Sequence, residues 1–153
     1  DSLLDYYSAS EIKKNIRNWY KNKEITGVEI KISSNEYDVV QFHYRTKDRN
    51  YKIIGIAGLK FYKDIKKCYK KQIEVVEELN KYFPSLNPTN QLRKHSADKS
   101  GNSEIKWMSF FLKSGDIVST ACFDWSTKMQ YTDNFRTGLI TSELNDWFKI
   151  AYN

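Results

Sequence analysis

The sequence predicts one α+β domain that spans all 153 residues. Segments with the alternating pattern of strands come in two consecutive runs instead of alternating with helices, which is typical of the α+β class. Between the two runs a helical period is sustained over several turns, and shorter helical patterns lie near both ends of the chain. We therefore expect one antiparallel sheet of about five to six strands in two meanders. One long central helix should cover it, with shorter N- and C-terminal helices.

The first predicted element is a helix near residues 8–22. Ser8 and Glu11 have the spacing of a capping box, and Tyr7 and Ile12 have the spacing of a hydrophobic staple. Apolar residues then recur at helical steps, at Ile12, Ile16, Trp19 and Tyr20. These features predict an amphipathic first helix.

A meander of three strands is predicted next. Apolar and polar residues alternate in the first two strands, where the apolar positions are Val28, Ile30, Ile32, Val40, Phe42 and Tyr44. Turn-forming residues at 34–36 and 47–50 separate the strands. The third predicted strand runs from Tyr51 to Ala57 and ends at Gly58.

The long helix is predicted from about Tyr62 to Phe83, where Pro84 ends it. Its apolar residues recur at three- and four-residue steps, at Ile65, Cys68, Tyr69, Ile73, Val76, Leu79 and Phe83. Residues 84–103 follow, with both prolines and few apolar side chains. This composition predicts a long surface loop between the two halves of the domain.

The second run of strands begins after that loop. Two strands, from Ile105 to Leu112 and from Ile117 to Trp125, flank a turn at 113–116, and residues 129–132 and 135–140 could add one or two more. The closing segment, 142–151, has apolar residues on one helical face behind a Thr141 or Ser142 cap. It predicts a short C-terminal helix.

Two cysteines are present, Cys68 on the apolar stripe of the long helix and Cys122 in a predicted strand. A helix that covers a sheet faces its strands, so a disulfide between them is geometrically reasonable. Such a bond would close a loop of about 54 residues and stabilise the fold by roughly 4 kcal/mol. The alternative is two separate buried thiols, as is common in cytosolic proteins. We favour the disulfide.

The sequence indicates no catalytic residue, no metal site and no cofactor. The cysteines do not form a C-x-x-C motif, and the two histidines lack the spacing of a metal site. We expect His43 on the polar face of its strand and His95 in solvent. No apolar run approaches the roughly 20 residues that a membrane-spanning helix needs.

One candidate anion- or partner-binding site precedes the long helix. Residues 55–58, with a glycine at each end, close a predicted strand, and lysines crowd the helix start: Lys60, Lys63, Lys66, Lys67, Lys70 and Lys71. Free N–H groups and the dipole at a helix N-terminus attract anions. The segment lacks the G-x-G-x-x-G and G-K-[ST] nucleotide motifs, however. A solvated helix face remains the alternative interpretation.

Aromatic residues are concentrated in the second run of strands, namely Trp107, Phe110, Phe111, Phe123, Trp125 and Tyr131. The strand that contains Trp107 is apolar on both faces. It is therefore either a central strand covered twice or a strand with one face exposed as a binding patch, of the kind on which single-stranded bases stack.

The formal net charge is +6, but 20 of the 25 basic residues are Lys, whereas base readout and phosphate clamps favour Arg. The chain begins with Asp1, which fits both a processed chain and a trimmed one. We expect a non-enzymatic exported domain, periplasmic or secreted, that binds an unknown macromolecule or ligand, for which an acidic partner would suit the lysines. The alternative is a cytoplasmic protein that binds nucleic acid or another polyanion through the Lys-rich helix and the aromatic strands. Nucleic acid is the less favoured partner.

Overall fold

An antiparallel sheet and three α-helices form the fold in the computed structural model, which describes residues 1–20 and 22–151. The helices are α1 Ala9–Lys14, α2 Ile65–Tyr82 and α3 Ser142–Ala151. The strands are β1 Ile16–Arg17, β2 Ile25–Lys31, β3 Val39–Arg45, β4 Gly55–Tyr62, β5 Thr89–Lys94, β6 Glu104–Phe111, β7 Ile117–Asp124 and β8 Asp133–Ile140. The predicted class and the single antiparallel sheet are confirmed. The predicted strand number was too low, because the described residues form eight strands.

The order of the strands shows two similar halves. Along the sheet it is β1-β2-β3-β4-β8-β7-β6-β5, so each half is a four-stranded meander followed by a helix. The halves meet where β4 pairs with β8 in the centre of the sheet. Side chains alternate between the two sides of every strand, so the register decides which residues share a face.

Helix α2 covers one side of the sheet, which we call the α2 face. A disulfide joins Cys68 of α2 to Cys122 of β7, with the two Cα atoms 5.9 Å apart, and both residues are fully buried beside Phe135. At the other end of the same face, the N-terminal segment buries Leu3 and Ile12 against β2 and β3. No helix in the described part of the chain is long and apolar enough to cross a membrane.

The first helix is shorter than predicted. The capping box of Ser8 and Glu11 is present, but α1 ends at Lys14, because the side chain of Asn15 donates to the carbonyl oxygen of Glu11 and Ile16 then pairs with Val28 of β2. The rest of the predicted helix, apart from Lys21, which lies outside the described residues, is therefore strand and connection. Pairing with β2 takes the place of further helical turns.

Both predicted boundaries of the third strand were wrong, because β4 runs from Gly55 to Tyr62 instead of from Tyr51 to Gly58. Helix α2 lies close to its prediction and starts at Ile65 behind Asp64, whose carboxylate accepts from the N–H of Lys66. The segment predicted as the loop 84–103 contains β5, in which every residue is exposed. An edge strand with neither face buried has no reason to alternate polar and apolar residues, so its sequence resembles a loop.

The connection between β5 and β6 folds around one buried carboxylate. Asp98 accepts hydrogen bonds from the N–H and hydroxyl groups of Ser100 and Ser103, at 2.6 to 2.9 Å, and from the hydroxyl of Ser126 at 2.7 Å. These donors hold the pKa of Asp98 far below its ordinary value, the serine side chains most strongly. The ionised form of Asp98 therefore stabilises this loop against the connection between β7 and β8, which contains Ser126.

We predict that Asp98→Asn lowers the melting temperature at neutral pH by several degrees. The amide keeps one acceptor oxygen and turns an NH2 group toward hydroxyl donors. Because the pKa of Asp98 is depressed on folding, its contribution is complete above the unfolded value of about 3.9 and is lost as the pH falls through the folded value. Melting curves from pH 7 to pH 2 should show the two proteins converging below about pH 4. Asp146→Asn, on the exposed side of α3, is the control, and a difference that stays constant with pH would contradict the assignment.

Candidate functional site

The side of the sheet opposite α2 contains a cleft of about 320 Å³. Aromatic side chains form its two walls: Trp19, Tyr20 and Phe148 on one side, and Trp107 and Phe123 on the other. Cavities of this size and composition are typical of small-molecule sites. We call it the sheet cleft, and the side of the sheet that contains it the cleft face.

The floor of the sheet cleft consists of short side chains. Gln41, Ala57, Gly138 and Ser119 are consecutive cross-strand partners on β3, β4, β8 and β7, so they form one row across the sheet. A Cβ atom on Gly138 would lie 2.1 Å from the carbonyl oxygen of Ile56, so only glycine fits there. The row leaves depth between the walls because none of its members except Gln41 has a long side chain.

The first wall is held in place by contacts outside the cleft. The indole of Trp19 lies on Gly27, where a Cβ atom would come within 2.2 Å of the ring, so the missing side chain lets the ring lie against β2. The ring of Tyr20 packs edge-on against Trp147 of α3, with centroids 4.9 Å apart. The indole N–H of Trp147 donates to Glu24 at 2.6 Å, which attaches α3 to the start of β2.

The second wall is stiffened by its own contacts. The guanidinium carbon of Arg93 lies 4.7 Å above the ring of Trp107, whose N–H donates to the hydroxyl of Ser109. Phe123 is only 7% exposed and stacks against Trp125. Both walls are therefore formed before any ligand binds.

Arg136 of β8 is the one charged side chain among the described residues that line the sheet cleft. It is half-buried, its Nε donates to the side-chain oxygen of Asn134 at 3.1 Å, and its guanidinium carbon lies 4.5 Å above the ring of Phe123. Within the described part of the chain, its two Nη groups have no hydrogen-bond acceptor and no carboxylate forms an ion pair with it. Burial lowers the pKa of Arg136, but a guanidinium stays charged in proteins.

His43 lies in the sheet cleft and is buried, contrary to the expectation that it would occupy a polar strand face. Its ring centroid is 5.7 Å from that of Trp19, 5.9 Å from Tyr20 and 6.3 Å from Phe148. Burial, and then the charge of Arg136, lower the pKa of His43 to about 4, although the Gly55 main chain opposes the shift. The imidazole is therefore neutral at pH 7, and its buried Nδ1 has no partner among the described residues.

His95 also differs from its prediction. It is half-buried and packs on Trp125 with centroids 4.4 Å apart, instead of extending into solvent. The β5–β6 connection folds back over the cleft face and brings this ring onto the aromatic cluster.

The six predicted lysines do not form one site. Lys60 lies in β4 and pairs with Asp38 at 2.9 Å, and Lys71 pairs with Glu36 at 2.6 Å. The others are exposed, namely Lys63, Lys66, Lys67 and Lys70. The glycines of residues 55–58 lie within β4 and not at the start of α2. An anion or partner bound by these lysines stays a prediction.

The aromatic residues of the second half are divided between the two faces. Phe110 is fully buried on the α2 face, whereas Trp107, Phe123 and Trp125 lie on the cleft face. The lysines of α2 and these rings are therefore on opposite sides of the sheet. Sequence reasoning missed Trp19, Tyr20 and Arg136 as site residues, and only the correct register of β1 and β8 could have revealed them.

No group of three or more His, Cys, Asp or Glu side chains among residues 1–20 and 22–151 could hold a metal ion. A scan of protein-family models found no match, and searches of curated proteins and of solved structures found no similar chain.

Proposed function

We propose that the protein is a non-enzymatic, exported domain that binds a small ligand in the sheet cleft. The observation that supports this most directly is a cleft with preformed aromatic walls and a floor of short side chains. Its lining combines aromatic rings and aliphatic side chains with an amide, hydroxyls, a neutral imidazole and a guanidinium, groups that bind and orient a ligand. Preformed walls lower the entropy cost of binding.

Export to the periplasm or the cell exterior is supported by the disulfide between Cys68 and Cys122, because such bonds persist in oxidising compartments. Alkylation of the protein unfolded in guanidinium chloride without reductant, followed by mass measurement, tests this, because unfolding exposes both buried cysteines to the reagent. Two unmodified cysteines are expected. Modification of both in protein taken directly from its natural source would contradict export.

The alternative, a cytoplasmic protein that binds nucleic acid or another polyanion, receives less support. A single strand of nucleic acid would have to pass around the sheet edge to contact both the lysines of α2 and the rings of the cleft face. Salt-sensitive retention on heparin or on a single-stranded oligonucleotide would favour this alternative over ligand binding in the sheet cleft.

Ligand binding predicts that the neutral dye N-phenyl-1-naphthylamine gains fluorescence with the native protein. Ser119→Leu extends a side chain from the floor into the cleft and should weaken the dye's affinity by about tenfold or more. Trp19→Ala removes part of a wall and should also weaken it. Fluorescence titration of each variant gives the dissociation constants.

Tyr82→Ala is the matched control, because it removes an aromatic ring that is 71% exposed on α2, on the other side of the sheet. It should leave the dye's affinity within about twofold of the native value. Equal affinity of the native protein and Ser119→Leu, with both folded by circular dichroism, would contradict binding in the sheet cleft.

A further inference from the structure

We propose that the ligand of the sheet cleft is an organic anion with an aromatic body, whose acid group binds the Nη groups of Arg136. This inference rests on the proposed function, since it names the chemical class of ligand for the same cleft.

The acid group is inferred from the unpaired guanidinium. A half-buried positive charge is costly unless an opposite charge or strong acceptors compensate it. In Arg136, Nε is engaged by Asn134, and one face of the guanidinium lies on Phe123, so the Nη edge is the part left for a partner. Two parallel N–H donors match the two oxygens of a carboxylate or another acid group.

Glu29 is the carboxylate whose charge acts on Arg136, but it already has other partners. Its carboxylate accepts from the side-chain amide of Gln41 at 2.9 Å and lies 3.6 Å from Arg17. It attracts Arg136 only through space, without an ion pair. His43 adds no positive charge at pH 7, so Arg136 is the one positive charge among the described residues that line the cleft. One negative charge on the ligand balances it.

The aromatic body is inferred from the walls. Rings pack against rings in offset or edge-to-face geometry and contribute more than their buried area alone. The two walls present five aromatic side chains across a floor of short ones, so a flat ring system entering between them would contact rings on both sides. A cleft of about 320 Å³ has room for a body of two fused rings.

The test uses N-phenyl-1-naphthylamine as the reporter and two competitors of the same shape, 1-naphthoate and the neutral 1-naphthamide. With the native protein, 1-naphthoate should displace the dye at roughly tenfold lower concentration than 1-naphthamide, since hydrogen bonds to a charged group are stronger than neutral ones. Arg136→Gln should abolish this preference, leaving the dye and 1-naphthamide within about threefold of their native affinities.

Arg49→Gln is the matched control, because it removes the same charge from an exposed position that does not line the cleft. It should keep the preference for 1-naphthoate. If Arg136→Gln does not fold, Arg136→Lys retains the charge and should show a smaller, measurable loss for 1-naphthoate, because the paired donors are gone.

The outcomes separate the two proposals. Absence of dye binding to the native protein would overturn the proposed function. Dye binding with equal displacement by 1-naphthoate and 1-naphthamide would contradict an anionic ligand at Arg136 and leave the cleft as a ligand site. A preference for 1-naphthoate that survives Arg136→Gln would do the same. If decanoate displaces the dye at a lower concentration than 1-naphthoate, the inference that the ligand has an aromatic body would be wrong.

Discussion

Reduction of the disulfide between Cys68 and Cys122 is expected to lower the free energy of unfolding by about 4 kcal/mol. The bond joins residues 54 positions apart, so it restricts the unfolded chain strongly by closing a long loop. Urea unfolding with and without dithiothreitol measures the difference. The denaturant dependence should also steepen after reduction, because the unfolded chain without the bond exposes more surface.

A double variant, Cys68→Ala with Cys122→Ala, is the control for the reductant. Its free energy of unfolding in urea should be the same with and without dithiothreitol. Val76→Ala removes apolar contacts from the same buried side of α2 without changing a cross-link, so it should destabilise the fold while leaving the denaturant dependence near the native value. If reduction of the native protein lowers the free energy of unfolding by less than about 1 kcal/mol, the bond does not stabilise the fold through loop closure to the expected extent.

The central helix could be predicted closely because its signals are local. Its apolar residues repeat at helical steps, Asp64 caps the start, and Pro84 stands just beyond the end. Each of these signals depends on neighbours a few residues away and not on the rest of the fold. The expected disulfide followed from the same helix, since Cys68 lies on its buried side.

The N-terminal helix was overpredicted because local and tertiary preferences disagree there. The apolar residues from Ile12 to Tyr20 fit a helical face, but Ile16 pairs with β2 and Trp19 lies against Gly27 on the opposite side of the sheet. Contacts with residues distant in sequence decided the outcome, and helical spacing alone does not report them. For the same reason, the wall of the sheet cleft that contains Trp19 and Tyr20 could not be predicted from helical spacing.

The site residues could not be recognised from spacing because each comes from a different strand. Gln41, Ala57, Gly138 and Ser119 become neighbours only through the register of β3, β4, β8 and β7. In the sequence, Arg136 is one arginine between Phe135 and Thr137, with no motif around it. The pairing of β4 with β8, across a separation of roughly 80 residues, is a long-range event that creates the cleft.

Acidification from pH 7 to pH 4 is expected to remove roughly 3 kcal/mol of stability through His43 alone. Its pKa is about 4 in the folded protein and near 6.5 when unfolded, so between these values the unfolded chain binds a proton that the folded one does not. The contribution is complete above about pH 6.5 and declines as the pH falls toward 4. Urea unfolding at several pH values measures the loss, and His43→Phe, which keeps a ring among Trp19, Tyr20 and Phe148, should remove it.

His95 must be separated from His43 because burial, followed by the charges of Arg136 and Arg93, also lowers its pKa, although Asp98 opposes the shift. His95→Phe should therefore reduce the pH dependence by less than His43→Phe does. If His43→Phe shows the same pH dependence of stability as the native protein, the acid-induced loss does not come from His43. Titration of the ring protons by nuclear magnetic resonance gives each pKa directly.

The same titration connects stability with the sheet cleft. Since the charge of Arg136 is the second cause of the low pKa of His43, Arg136→Gln should raise that pKa, and so should an anion bound to Arg136. Saturation with 1-naphthoate should therefore raise the pKa of His43 in the native protein and leave it unchanged in Arg136→Gln. By linkage, 1-naphthoate would then bind somewhat more tightly at about pH 5 than at pH 7, a range in which its carboxylate stays ionised. A pKa that does not respond to 1-naphthoate bound in the native protein would place the acid group away from Arg136.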